Sequence, residues 1–396
     1  MGEFPRKLWA RLVARQARSS GSLSRPHPAG LPRLREALAA YLHRSRGIAA
    51  DPAQVFVVPG YAAAVGLVAE ALLQPGDSAW VESPGYPPTG QTLSRLGHPL
   101  HRVPVDAQGT DVGLAARRWP QARLAVVTPS HQSPTGVSMT LPRRAALLEW
   151  AEAAGGWILE DDYDGEYRYR GHPLPALKSL DRHERVVYCG AFSKVLFPGL
   201  RLGYVVVPNS QIAAFTAACR RSLHGGCPEL MQAVVADFIE EGHFARHIKR
   251  MRALYAKRRN FLADALLPYE SRGLRTEPRD GGMHLLVGLH DDIDDVEMKR
   301  RANAAGFAVD ALTHWRLGAP GPRGLLVGFT NVASPEAACE LVRRLVQALE
   351  SPPTRAPPER MQDPILRPAM SLARPPEGAH SRLAGPATGR RAKLLI

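Results

Sequence analysis

The sequence predicts an α/β fold: a mainly parallel sheet sandwiched by helices, followed by a smaller α+β C-terminal domain. Three observations predict it. Short apolar runs recur between residues 54 and 207, helical stretches lie between them, and past residue 240 the pattern changes to one long amphipathic helix, two further apolar runs and a closing helix. A strand that is apolar on both faces is covered on both faces, and helical crossovers between parallel strands supply that cover.

The elements follow in order. Residues 31–46 place Leu31, Leu34, Leu38, Tyr41 and Leu42 on one helical face, and Gly47 stands where a C-terminal cap belongs. Residues 54–58 read as the first strand, Pro59 and Gly60 as a turn, and 61–73 as a helix stopped by Pro75, Gly76 and Asp77. Further strands are expected at 79–81, 124–127, 157–159, 186–189 and 204–207, with a helix over 141–154 opened by Pro142, whose missing N–H costs nothing in a first turn. A long helix over 245–267 turns Ile248, Met251, Tyr255, Leu262 and Ala265 inward. Its basic face (Lys249, Arg250, Arg252, Lys257, Arg258, Arg259) reads as solvated. Strands at 283–287 and 325–329 and a helix over 335–349, capped by Ser334, complete the smaller domain.

The expected domains are an N-terminal segment, 1–50, packing on the small domain; a large domain, 51–240; a small C-terminal domain, 241–350; and a tail, 351–396. Nine prolines among the tail's 46 residues, with few large apolar groups, predict disorder there. The chain of 396 residues is 45% hydrophobic and 22% charged, which fits a globular protein and excludes collagen-like and disulfide-framework classes. Its net charge of +14 is uneven: the tail carries eight bases and three acids, and residues 1–50 carry ten bases and two acids. This reads as a feature of the sequence ends more than as a nucleic-acid surface. Cys189, Cys219, Cys227 and Cys339 form no paired spacing, so free thiols, a cytoplasmic location and no metal are expected. No secretory leader or membrane-spanning run stands out.

In parallel α/β sheets ligands sit at the carboxyl ends of the strands. Two such ends hold unusual residues. After 157–159 comes Glu160, Asp161, Asp162, Tyr163, Asp164, Gly165, Glu166, Tyr167; after 186–189 comes Gly190, Ala191, Phe192, Ser193, Lys194, then Arg201, Leu202, Gly203 and Tyr204. A carboxylate and a lysine at neighbouring strand ends shift one another's ionisation.

These stretches, with residues 128–136 (Thr-Pro-Ser-His-Gln-Ser-Pro-Thr-Gly) and 82–86 (Glu-Ser-Pro-Gly-Tyr), resemble the fold-type I pyridoxal-phosphate (PLP) enzymes of aminotransferase class I/II. More closely, they resemble the aminotransferase-like domain of MocR-type regulators of the GntR superfamily. The resemblance runs from the start of the chain to about residue 350, and several motifs in the right order make it specific. It implies a catalytic Lys194 that carries PLP as an internal aldimine and moves protons, and a catalytic Tyr163 that also hydrogen-bonds the cofactor's ring oxygen. It further implies that Asp161, with the adjacent Asp162 as the alternative, keeps the ring nitrogen protonated, that Tyr86 covers the ring, and that His131 and Gln132 are polar cofactor neighbours. Gly60, Tyr61, Ala62, Ser193 and Arg201 complete the expected cofactor set, the phosphate meeting Arg201 and the helix that Gly60 opens.

The chain departs from the family pattern at Ala191, where a phosphate-binding Ser is usual, and at Tyr61 and Ala62, where a hydroxyl or amide is usual. Leu326 aligns with the family's substrate-carboxylate Arg, which leaves Arg323 as the expected substrate-binding residue. The resemblance thus implies an aminotransferase-like homodimer acting on an amino donor and acceptor. Its alternative is an effector-sensing domain of a transcriptional regulator, which would contact DNA only through an upstream winged-helix module that is missing from this chain.

Overall fold

A computed structural model describes residues 3–19, 26–171, 175–223, 226–316, 318 and 320–350. The expected disordered tail, 351–396, lies outside the described residues. The larger sheet holds eight strands: β1 (Val55–Val58), β2 (Ala79–Ser83), β3 (Leu100–Asp106), β4 (Gly109–Thr110), β5 (Leu124–Val127), β6 (Trp157–Asp162), β7 (Val186–Ala191) and β8 (Gly203–Val206). Their order is β1-β8-β7-β6-β5-β2-β3-β4. The run from β7 to β3 is parallel, while β8 lies antiparallel to both β1 and β7, and β4 antiparallel to β3. The mainly parallel sheet is as expected. Strands β1, β5 and β8 are buried along their whole length, which is why their sequences show no alternation.

The smaller sheet has the order β11-β12-β10-β9, with β9 (Arg275–Thr276), β10 (His284–Leu289), β11 (Asp310–Ala311) and β12 (Arg323–Gly328), all antiparallel. It packs with helix Pro335–Glu350 around its own apolar cluster. Ser334 Oγ accepts from Ala337 N at 3.2 Å, the expected cap. Among the described residues, no helix is long and apolar enough to cross a membrane.

Two expectations change. The N-terminal helices Arg6–Ala17 and Pro32–Arg46 pack chiefly on helix Glu229–Glu240 and on β1, and Leu12, Leu34, Leu38 and Leu42 share one cluster with Val57, Phe238 and Phe244. The segment thus packs mainly on the large-domain side, and it also meets the long helix, where Glu3 pairs with Arg250 and lies 3.9 Å from Arg258. The long helix itself, His243–Leu266, does not leave its whole basic face to solvent. Arg259 is buried, donates to Arg279 O at 2.6 Å and lies over the Tyr169 ring, while Arg252 donates to Glu166 O at 2.9 Å. An Arg stem covers apolar surface while its head reaches a carbonyl, so charge in a sequence pattern does not ensure exposure.

Candidate functional site

Strands β6 and β7 are parallel neighbours, with Asp161 opposite Cys189 and Asp162 opposite Gly190. Both end at the same edge, so the acidic cluster after β6 faces the short helix Phe192–Val195 that carries Lys194. Successive residues of a strand point to opposite faces. Asp161 and Asp162 therefore serve different sides of the sheet.

Asp161 is 5% exposed, and burial, reinforced by the Asp162 charge, pushes its carboxyl well above the usual range. Burial lowers the Lys194 ammonium, against the pull of Asp164 and Asp161. The lowered lysine and the raised aspartate both follow from burial, with Lys194 close enough to Asp161 for their charges to interact. Tyr163 lies 3.0 Å from His131 Nδ1 and hydrogen-bonds Ser133, and burial raises its phenol well above the ordinary value.

Gly60 opens helix Tyr61–Leu72 with φ 98, a left-handed conformation that favours glycine. A Cβ there would fall 3.1 Å from Arg201 Nη2, so the missing side chain leaves room for the guanidinium at the helix start. The first-turn N–H groups have no intrahelical partner, and together with Arg201 they form an anion cradle. Ala62 lies exposed in that turn and Ser193 is half-buried beside Lys194.

Three expected contacts are placed otherwise. Tyr61 turns its hydroxyl to Thr89 Oγ1, at 2.9 Å, and to Asp161, so only its backbone belongs to the cradle. Gln132 is fully buried and spends its hydrogen bonds internally: Nε2 donates to Glu82 Oε2 and Pro84 O, and Oε1 accepts from Thr135. It braces the 128–136 loop, where Glu82 also accepts from Thr128 and Thr110. Arg323 does not join the site; it lies at the far end of β12, opposite Leu289, 38% exposed and 3.5 Å from Asp294. Leu326 is buried against Leu312 and Trp315, a purely apolar setting.

Tyr86 keeps its place at the rim, 41% exposed, with ring centroids 5.6 Å from Tyr61 and 5.7 Å from Trp315. Sequence reasoning gave no role to Asp164 or His284. Asp164 lies 3.1 Å from His131 Nδ1, and burial pushes His284 down to about 4 while its Nε2 bonds Pro134 O at 2.9 Å. The density of acids after β6 was the available signal for Asp164; His284 had none.

A half-buried lysine, a buried aspartate and an anion cradle thus gather at the strand ends of this α/β sheet. The model of the aminotransferase class I and II family matches residues 5–313, and the chain belongs to that family. It is 39% identical over 332 residues to the probable rhizopine catabolism regulatory protein MocR of Rhizobium meliloti, covering 83% of this chain. The chain spans only 66% of that relative's length. It is also 29% identical to aromatic-amino-acid aminotransferase 1 of Thermococcus litoralis, over 70% of this chain and 68% of the relative. Among solved structures, kynurenine aminotransferase of Pyrococcus horikoshii superposes with TM-score 0.78 at 28% identity, covering 88% of each chain. The α-aminoadipate aminotransferase LysN of Thermus thermophilus, complexed with N-(5'-phosphopyridoxyl)-L-leucine, gives 0.79 at 27% identity, covering 88% of this chain and 89% of that one.

Proposed function

We propose that this chain binds pyridoxal 5'-phosphate at Lys194 and is an aminotransferase-like protein acting on an amino acid or other amino compound. The observation that carries this reading is the convergence of Lys194, Asp161 and Tyr163 at one sheet edge with the Gly60 and Arg201 cradle. The residues fit the group. Asp161 is a buried acid beside the Tyr61 phenol that suits a protonated ring nitrogen, and the space a Gly60 Cβ would fill suits a phosphate.

When bound, PLP supplies an electron sink for bonds at the amine-bearing carbon. The chain's residues do the rest. Desolvation lowers the proton affinity of Lys194 Nζ, so a larger share is free to attack a carbonyl and to carry a proton to and from that carbon. Asp161 holds a proton on the ring nitrogen. Arg201 and the first-turn N–H groups fix the phosphate, so the ring cannot drift from Nζ. Ala191, and Tyr61 with its hydroxyl turned to Thr89 and Asp161, leave out two family donors, each worth about 1 kcal/mol of affinity.

A second reading keeps the same binding groups but has them sense an amino effector without turnover. The similarity to a regulatory protein longer than this chain favours it. A cytoplasmic homodimer accompanies either reading on the family resemblance. Mixing the PLP-loaded protein with a panel of amino donors separates them. Conversion of the cofactor to its amine form with release of an oxo product supports the enzyme; a spectrum that changes without product supports the sensor.

A further inference from the structure

His131 is 9% exposed and shares one ring nitrogen between two oxygens: Nδ1 lies 3.0 Å from Tyr163 Oη and 3.1 Å from Asp164 Oδ2. The ring is locked in place. A Cβ at Gly282, where φ is 92, would collide with it, and one at Gly136 would fall 3.0 Å from Nε2. A carboxylate oxygen only accepts, so the nitrogen facing Asp164 carries the hydrogen. Tyr163 Oη, meeting the same nitrogen, accepts from it, which leaves the phenol's own hydrogen to Asp164 or to another acceptor.

We propose that His131, held by Asp164 with its hydrogen on Nδ1, is a positioning residue that keeps Tyr163 a hydrogen donor to the bound cofactor. The inference rests on the PLP reading above. Asp164 is itself within hydrogen-bonding reach of Tyr163. Phenol and imidazole thus compete for one carboxylate, and without the imidazole Asp164 is left to the phenol hydrogen and the cofactor loses its donor. Ser133 also hydrogen-bonds Tyr163, but the groups facing His131 itself do not replace it. His284, with its ring centroid 6.3 Å away, is engaged with Pro134 O; Arg279 packs on Gly136 through its aliphatic stem; Lys194 and Asp161 act only through their charges.

The tautomer is read without cofactor by 15N-detected NMR of the wild type, with His131→Asn used to assign the signal. The expected result is a hydrogen on Nδ1, in the neutral or the doubly protonated ring. A bare Nδ1 overturns the proposal. The donor role is read from the pH midpoint of the PLP-loaded protein's visible band, because a hydrogen donated to the cofactor's ring oxygen favours the less protonated form. His131→Leu should raise that midpoint by about one pH unit, a tenfold change in proton affinity. Adding Asp164→Asn should bring it partly back, and His131→Asn, whose amide N–H can stand in for Nδ1, should stay near the wild type. An unmoved midpoint in His131→Leu overturns the proposal. If the wild type gives no band with PLP, the cofactor reading fails and the donor role falls with it, whereas the tautomer result still stands or falls by itself.

Discussion

Asp161 and Asp162 are adjacent in sequence yet differ in task, because a strand sends them to opposite faces. Asp162 meets Arg46 at 2.7 Å and Tyr188 Oη at 2.7 Å; Asp161, on the other face, meets the Tyr61 phenol and interacts with the Lys194 charge. Asp161→Asn should therefore leave the fold intact and weaken PLP affinity by roughly tenfold or more, since the amide cannot balance a ring cation. Equilibrium dialysis checks it, and unchanged affinity would contradict the assignment. Gly60→Ala puts a Cβ at φ 98 against Arg201, and a cost of about 1–3 kcal/mol should appear as weaker phosphate binding and a lower Tm. At this scale the sequence motifs put Lys194, Asp161, Tyr163, Gly60 and Arg201 in loops that the fold gathers at the strand ends. They failed on direction. Gln132 and Tyr61 lie in the expected loops, but their side chains turn to Glu82 and Thr89, and spacing alone carries no information about which way a side chain points.

The elements were legible where burial is two-sided. Strands β1, β5 and β8 gave uninterrupted apolar runs, and Gly47, at φ 69, closes helix Pro32–Arg46 as its sequence position suggests. Strand β3 escaped notice because it lies near the sheet edge with mixed exposure and contains Pro104, which ordinarily argues against a strand. The end of helix Pro32–Arg46 also holds a link that no local pattern announces: Arg46, 6% exposed, inserts beside Asp162, and Gly165 supplies the space by having no side chain. Tyr41, one turn earlier, donates to Glu166 Oε1 at 3.0 Å. Arg46→Met leaves Asp162 buried without its cation and should cost about 3–5 kcal/mol in urea unfolding. Arg46→Met with Asp162→Asn should recover part of that loss; a double variant no more stable than the single one would mean that packing, not charge, holds the helix end.

Across the whole molecule, the two sheets meet where His284 of β10 approaches the 128–136 loop of the large domain. Burial lowers His284 from 6.5 to about 4. Between those values the unfolded chain binds a proton that the folded chain refuses, so this group's contribution rises with pH from about 4 to 6.5 and is lost as pH falls. Glu160 acts in the opposite sense: burial and the Asp162 charge raise it from 4.5 to about 7, so its contribution is present below 4.5 and lost as pH climbs through 7. Comparing Tm profiles isolates the histidine. The wild type should lose Tm more steeply than His284→Gln between pH 6.5 and 4, and parallel profiles would contradict the linkage. The two-sheet division was readable from the change of pattern past residue 240. The seat of the N-terminal helices was not, because an amphipathic face states that it packs without stating on what.

All of this turns on one amine. Borohydride reduction of the PLP-loaded protein, followed by peptide mass mapping, locates the lysine that holds the cofactor. The added mass should fall on the peptide containing Lys194 and be lost in Lys194→Ala. Cofactor mass on another lysine, or on none, would contradict this.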